Sequence, residues 1–384
     1  MAGRRANRKP QLATVTPEDK QPIFSNSDRR LFAFTLASAI AAAIFHNSGG
    51  NPVLAFATAG ISLATLASLV GRSVEALGDR LGSGATGVLQ SFLGNLPEFF
   101  VIMFSLKAGL YEVVRATIVG SILANVLLIM GLAFVVGGLK HGRQKFSQQA
   151  GRQLAQLLTL SVFALAIPTL TAAMNTPAAQ HERAVTIIIS VLLLILFAAS
   201  LPETLKSKGA HSEVTGTIEA LDAKSEADNH GEWPLQIAIG MLALAGVGAA
   251  FVSEFFVSAL TPAISVLHIS EAFAGLIIVA IAGNAVENVV GIQLAAKNKA
   301  EYALQVILQS PVQVAMTIAP AVALAAPLVG AGSFTLVLSP LLLGVLFMSA
   351  FVAILVVVDG DSSWFEGVTL LVLYVAIATA FWWG

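Results

Sequence analysis

The pentapeptide GNLPE at residues 94–98 recurs as GNAVE at residues 283–287, and these two stretches decide the fold. The two glutamates are 189 residues apart, and the same interval separates Ser121 from Ser310. Two matched landmarks at one interval indicate an internal duplication of the chain. Each pentapeptide lies inside a long apolar stretch, so both glutamates are predicted to lie within a membrane.

The composition of the 384-residue chain requires a lipid environment. Hydrophobic residues make up 56% of the sequence, charged residues make up only 11%, and the mean hydropathy is +0.82. A water-soluble fold could not cover this much apolar surface with polar side chains. The net charge of −1 argues against nucleic acid as a partner, and the absence of cysteine excludes disulfides and thiolate metal sites.

About eleven stretches of the chain are long enough to cross a bilayer as a helix, which takes about 20 mostly apolar residues. They lie at about 31–47, 52–70, 84–107, 111–137, 153–173, 184–202, 234–258, 271–296, 302–327, 333–356 and 364–382. We therefore expect an all-α polytopic membrane protein with about eleven transmembrane helices.

Polar segments divide the chain into four predicted parts. Residues 1–30 form a cytoplasmic tail, and residues 31–202 hold the first six helices with the first pentapeptide. Residues 203–233 form an acidic cytoplasmic linker, and residues 234–384 hold the last five helices with the second pentapeptide. Five helices per repeat is an odd number, so the two repeats are expected to be inverted, with a site between them at the midplane. The first helix is then an addition to the repeats.

The basic residues predict the orientation in the membrane. With the N-terminus in the cytoplasm, all but three of the 21 Lys and Arg residues lie on the cytoplasmic side. The exceptions are Lys107, Arg115 and Arg183. No removable signal peptide is recognisable, and the compact loops favour the plasma (inner) membrane of a bacterial-type cell.

Each pentapeptide places an asparagine three residues before its glutamate, a spacing that puts both on one helix face. The pairs are Asn95 with Glu98 and Asn284 with Glu287. The preceding glycines weaken the helix and free backbone carbonyls as further ligands. One carboxylate with amide and carbonyl oxygens from each repeat supplies the six or more oxygens that Ca²⁺ takes, so the two glutamates are predicted metal ligands.

The next helix of each repeat carries further polar residues. Ser121 and Asn125 are four residues apart, and Ser310 and Gln313 are three apart, so each pair can face one way. They are predicted either to bind the ion directly or to support the carboxylates by hydrogen bonds. A role in holding helices together is the alternative. Glu254, inside another apolar run, is the candidate for a gate or relay.

A carboxylate that accepts either a proton or a cation predicts antiport, because the two ions then compete for one site. This exchange needs no covalent step and no cofactor. The chain has neither an HExxH zinc motif nor a GxxxxGK[ST] phosphate loop, so zinc hydrolysis and ATP-driven pumping lack their machinery. The expected partners are Ca²⁺ or a related cation, protons and the lipid bilayer, and the oligomeric state stays open.

The two segments around the pentapeptides resemble the signature sequences of the Ca²⁺/H⁺ exchanger branch of the cation/Ca²⁺ exchanger superfamily. The first is GVLQSFLGNLPEFFVIMFSLKAGLYEVVRATIVGSILANVLLIMG, and the second is ISEAFAGLIIVAIAGNAVENVVGIQLAAKNKAEYALQVILQSPVQVAM. The resemblance implies that Glu98 and Glu287 bind Ca²⁺ and accept protons and that Asn95 and Asn284 line the same site. It also implies ligand or support roles for the four residues of the following helices, and a gate-region role for Glu254.

Three departures from the family pattern leave the choice of ions open. Asn288 follows the second glutamate where the family often has histidine, and Gln309 with Pro311 replaces a run of small residues. Pro97, directly before the first glutamate, instead resembles the first signature of the Na⁺/Ca²⁺ branch, which tends to have proline at this position. The alternatives are therefore a Na⁺/Ca²⁺ or Na⁺/H⁺ exchanger on the same scaffold, a passive channel and, more remotely, an intramembrane enzyme that uses the two carboxylates as acid and base.

Overall fold

The computed structural model of the chain describes residues 23–81, 93–206 and 233–383. Within these ranges, the side chains of residues 78–81, 202–206 and 285–288 are outside the description. The described residues form twelve main helices, a short 3₁₀ helix (Pro177–His181) and one short antiparallel strand pair. The helices are α1 (Asn26–Asn47), α2 (Pro52–Leu81), α3 (Leu96–Lys107), α4 (Tyr111–His141), α5 (Gln148–Ala173), α6 (Glu182–Lys206), α7 (Leu235–Leu267), α8 (Glu271–Gly283), α9 (Ala285–Ala296), α10 (Ala300–Val329), α11 (Pro340–Val357) and α12 (Trp364–Phe381).

The described helices confirm an all-α membrane architecture. Nine of them are long and apolar enough to cross a bilayer. The predicted span 271–296 is two short helices, α8 and α9, because the helix breaks at Asn284. Of the predicted span 84–107, residues 84–92 lie outside the described residues, and α3 begins at Leu96. The predicted number of eleven spans therefore stays a prediction.

The boundaries of the predicted tail and linker differ from the observed helix ends. Helix α1 begins at Asn26 instead of about residue 31, because Ser25 and Asp28 form a reciprocal capping box at its start. Helix α6 continues to Lys206, four residues into the predicted linker. Linker residues 207–232 and tail residues 1–22 lie outside the described residues.

Three helices contain π-helical segments, in which the backbone hydrogen bonds span five residues instead of four. The segments are Ala124–Ile129 in α4, Ala274–Val279 in α8 and Val314–Ile318 in α10. The segments of α4 and α10 end 189 residues apart, the interval that separates the two pentapeptide glutamates. Both repeats therefore place the same helix irregularity beside the same polar residues.

Helices α4 and α8 cross in close contact at a pair of glycines. A Cβ atom on Gly120 would overlap the carbonyl oxygen of Leu276, and a Cβ atom on Gly275 would overlap that of Val113. Small residues at helix crossings let backbones approach each other in this way. The crossing brings the π segment of α8 against the first half of α4.

A second, smaller apolar cluster lies between α2 and the start of α7 and includes Val70, Val74 and the fully buried Trp233. Buried polar contacts accompany it. The indole Nε1 of Trp233 and the guanidinium Nε of Arg72 each donate to the carboxylate of Asp28, both at 3.0 Å. The end of the linker is thereby fastened to α1 and α2.

The strand pair joins two connections that are far apart in sequence. Strand β1 (Gln144–Lys145) follows α4, and strand β2 (Asp361–Ser362) precedes α12. An ion pair of 3.1 Å between Arg143 and Asp361 supports the pairing. The sequence pattern did not predict these strands, because two residues are too few for an alternating pattern.

Candidate cation-binding site

The carboxylate of Glu98 is buried at the start of α3. The side chain is 1% exposed and lies in the first turn of the helix, where the backbone dipole favours a negative charge. Ser121 Oγ on α4 donates a hydrogen bond to Glu98 Oε1. Pro97 lies in the same first turn, where its missing N–H leaves no helical hydrogen bond unmade.

The two pentapeptide asparagines have nearly the same backbone conformation. Asn95 has φ −89° and ψ 9°, Asn284 has φ −104° and ψ 20°, and each precedes the helix that carries its glutamate. This confirms the predicted interruption of the second helix at the Gly-Asn step. The two asparagines are the N-cap residues of α3 and α9, three residues before their glutamates, and these two positions lie on the same side of a helix start.

A hydrogen-bond network joins Glu98 to residues of both repeats. Asn284 Nδ2 donates to Ser121 Oγ at 3.0 Å, and Ser310 Oγ donates to Asn284 Oδ1 at 3.4 Å. Asn125 Nδ2 donates to Ser310 Oγ at 3.2 Å and to the Ser121 carbonyl at 2.9 Å. All five residues are buried. The structure thus brings these five polar residues together, and their contact with an ion stays a prediction.

A second contact across the repeats joins the other two predicted residues. Asn95 Nδ2 donates to Gln313 Oε1 at 3.2 Å, and both side chains are buried. Gln313 immediately precedes the π segment of α10, as Asn125 lies within that of α4. Each π segment therefore begins at the level of the polar network.

Asn125 presents an oxygen atom that is ready to accept a ligand. The residue is fully buried, and its Oδ1 has no hydrogen-bond partner among the described residues. A buried carbonyl oxygen without a donor is costly in a protein unless water or an ion occupies the position beside it. A hard cation is one group that this oxygen could bind.

Gly283, the last residue of α8, packs directly against Glu98. A Cβ atom on Gly283 would lie 3.3 Å from both Cβ and Cγ of Glu98, which is tighter than ordinary van der Waals contact. The break between α8 and α9 therefore lies next to the first carboxylate. Glu287 occupies the first turn of α9, the same place that Glu98 occupies in α3, but its side chain lies outside the described set.

The structure does not bring Glu254 into this network. Its side chain is exposed at one end of an apolar groove of about 600 Å³ between α3 and α7. The groove is lined by Leu96, Phe100 and Phe104 of α3 and by Val247 and Phe251 of α7, among others. None of the hydrogen bonds formed by the described residues links Glu254 to Glu98.

Sequence reasoning missed two hydroxyl groups close to the network. Ser105 on α3 and Thr117 on α4 are each 1% exposed, and neither hydroxyl has a hydrogen-bond partner among the described residues. Their spacing from Glu98 and Ser121, two turns and one turn respectively, is the signal that could have found them.

The family model for "Sodium/calcium exchanger protein" matches residues 51–202 and 237–383 of the chain. Both pentapeptides and the whole network lie within the matched residues. This chain belongs to the sodium/calcium exchanger protein family. The family assignment confirms the resemblance noted in the two signature segments.

Individual relatives of this exchanger-family chain cover nearly its whole length. It is 34% identical over 327 residues to the Ca(2+)/H(+) antiporter ChaA of Bacillus subtilis, covering 85% of this chain and 91% of the relative. It is 30% identical over 347 residues to the Ca(2+)/H(+) antiporter of Synechocystis, covering 88% and 92%. The solved structure of native YfkE superposes with a TM-score of 0.74 at 30% identity, covering 92% of this chain and 99% of that one. The two curated relatives are both named as Ca(2+)/H(+) antiporters.

Proposed function

We propose that this protein is a secondary active antiporter that exchanges Ca²⁺ for protons across a membrane. The single observation that carries the proposal is the buried carboxylate of Glu98, held among amide and hydroxyl groups from both repeats. The relatives named Ca(2+)/H(+) antiporter, at 30% identity or more over most of the chain, support Ca²⁺ and H⁺ as the exchanged ions.

The proposed site holds Ca²⁺ between Glu98 and Glu287. Oxygen atoms of Asn95, Asn284, Ser121, Asn125, Ser310 and Gln313 either complete the coordination or hold the carboxylates in place. Carboxylate and amide oxygens are the ligands that Ca²⁺ prefers, and the carboxylates neutralise its charge in a medium where an unpaired ion is costly. The unpartnered Asn125 Oδ1 is the neutral oxygen best prepared for this role.

Exchange follows from the competition between a cation and protons for the same carboxylates. When Ca²⁺ leaves, two negative charges would remain buried, so the empty site takes up protons before it changes the side to which it opens. The inverted repeats provide the two alternative openings. We propose Glu254, at the end of the apolar groove, as a gate or relay that acts from outside the network.

We further propose that the protein resides in a bacterial-type plasma membrane with its N-terminus and linker in the cytoplasm. The distribution of Lys and Arg supports this orientation. No cofactor takes part in the proposed exchange. Its proposed small-molecule partners are Ca²⁺ and protons.

Proteoliposomes test the proposed function. Purified protein is reconstituted with a Ca²⁺ indicator and a pH indicator inside, and an imposed proton gradient should drive Ca²⁺ uptake that a protonophore abolishes. A Na⁺ gradient of equal size should drive none. Ca²⁺ uptake that requires Na⁺ and ignores the proton gradient would establish the Na⁺/Ca²⁺ alternative instead.

A further inference from the structure

Ser105 and Thr117 continue the polar faces of Glu98 and Ser121 toward the connection between α3 and α4. Thr117 is one turn from Ser121 on α4, or about 6 Å along the helix axis, and Ser105 is two turns from Glu98 on α3, or about 10 Å. The Ser121 to Glu98 hydrogen bond and the short connection at residues 108–110 fix the register of the two antiparallel helices. Thr117 therefore lies at a level between Glu98 and Ser105.

The two hydroxyls are unusual in having no backbone partner. Serine and threonine inside helices commonly donate to the carbonyl oxygen one turn earlier, and Ser73, Ser161 and Ser349 of this chain do so at 2.7 to 2.9 Å. Other unpartnered buried hydroxyls in the described residues lie on α2, α6, α7 and α12. Only the pair on α3 and α4 extends the faces that carry Glu98 and Ser121.

The steps between these groups match the reach of single water molecules. A water that makes two hydrogen bonds of about 2.8 Å spans about 5 to 6 Å, and buried waters typically satisfy otherwise unpaired polar groups. The axial steps from the Glu98 level to Thr117 and from Thr117 to Ser105 are about 6 Å and 4 Å. Each hydroxyl can both donate and accept, as a proton-conducting chain requires.

We infer that Thr117 and Ser105 bind buried waters that carry protons between Glu98 and the α3–α4 end of the molecule. The charged and titratable groups of α3 and α4 at that end are Lys107, Tyr111, Glu112 and Arg115, and Glu182 at the start of α6 lies near Arg115. Arg115 lies two residues before Thr117, on the opposite side of α4, where it donates to the Thr335 carbonyl at 3.0 Å. Its cation is therefore directed away from the proposed proton path.

The second repeat shows that the packing does not need these hydroxyls. The positions 189 residues after Thr117 and Ser105 are Val306 and Leu294, and both are apolar. Leu294 is 1% exposed, so a wholly apolar side chain fits the equivalent buried position. The proposed proton path belongs to the first repeat alone, and the two ends of the molecule differ in this respect.

The inference rests on the proposed Ca²⁺/H⁺ exchange. Measuring two transport modes distinguishes a failure of the proton path from a failure of the proposed exchange. Ca²⁺/H⁺ exchange requires proton movement, whereas self-exchange of radioactive Ca²⁺ against unlabelled Ca²⁺ does not. Replacing Thr117→Val, which keeps the shape and removes the hydroxyl, should slow Ca²⁺/H⁺ exchange about tenfold or more, because positioned proton-transfer groups typically contribute at least that much. Self-exchange of Ca²⁺ should stay within about twofold, which also reports that the variant is folded.

Three matched variants complete the experiment. Thr117→Ser should retain most of the proton-coupled rate, and Ser105→Ala should lower it in the same selective way. Ser190→Ala removes another buried, unpartnered hydroxyl, on α6, and should change neither mode. An equal loss of both modes in Thr117→Val, or a loss of neither, would overturn the proton path. A wild-type protein with Ca²⁺ self-exchange but no proton-coupled flux would overturn the proposed function itself.

Discussion

At the scale of single residues, the proposed exchange depends on carboxylates that can change their charge. Glutamine keeps the shape of glutamate and one oxygen ligand but cannot release or accept the proton. We therefore expect Glu98→Gln and Glu287→Gln each to reduce Ca²⁺/H⁺ exchange to the background of empty liposomes while the protein stays monodisperse. Glu301→Gln, at the exposed start of α10, is the matched control and should transport normally. Exchange near the wild-type rate in either site variant would disprove the assignment.

The same carboxylates predict a pH dependence of Ca²⁺ binding. Protons occupy them as the pH falls, so the apparent affinity for Ca²⁺ should weaken toward acid pH, by up to about tenfold per pH unit for each proton displaced. The double variant with glutamine at positions 98 and 287 should lose this dependence together with most of its affinity. Equilibrium binding of Ca²⁺ at several pH values measures both effects. An affinity that rises toward acid pH in the wild type would contradict proton competition.

The sequence predicted the members of the polar network but not the way they connect. Spacing along a helix identified Ser121 and Asn125 as neighbours, because residues four apart lie on one face. The bonds from Asn95 to Gln313 and from Asn284 to Ser121 span 218 and 163 residues. Contacts between residues so far apart in sequence depend on how the two repeats pack against each other, and no local sequence pattern predicts that packing.

At the scale of elements, the break between α8 and α9 positions Glu98 through Gly283. The substitution Gly283→Ala should displace the Glu98 side chain from its rotamer, at a cost of about 1 kcal/mol. Ca²⁺ affinity should therefore fall about fivefold, measured by equilibrium binding, with little loss of folded protein. Gly344→Ala on α11 is the control, because a Cβ atom there has no neighbour within 4 Å. Equal Ca²⁺ affinities of the two variants would show that Gly283 does not position the carboxylate.

The helix boundaries show which elements a sequence can predict. The apolar runs located the long helices, since the hydrophobic thickness of a bilayer sets their length. The capping box of Ser25 and Asp28 starts α1 inside the predicted tail, where the polar composition alone indicates no helix. The π segments could not be predicted, because the same apolar residues fit an α-helix and only packing against neighbouring helices distinguishes the two.

At the scale of the whole molecule, the charge distribution predicts which ends share a side of the membrane. The chain has no cysteine, so a single cysteine introduced at Ser212 or at Gly384 can be labelled without background. We expect a membrane-impermeant reagent to label position 212 only from the cytoplasmic side and position 384 only from the opposite side. Cysteine at Asn47, the last residue of α1, is a reference for the outer side. Labelling of 212 and 384 from one side would disprove an odd number of spans.

The pairing of partners from both repeats also has a consequence for the order in which the protein is made. The ribosome completes Glu98 and Ser121 well before Asn284, the donor to Ser121, has been translated. At about 5 to 20 residues per second, the 163 residues that separate those two partners take about 8 to 33 seconds. During that interval the nascent first repeat holds an acidic group in the bilayer without its later amide and hydroxyl neighbours. A chain truncated after the linker should therefore be degraded by membrane quality control. When the two halves are expressed together as separate polypeptides, each half should protect the other from degradation.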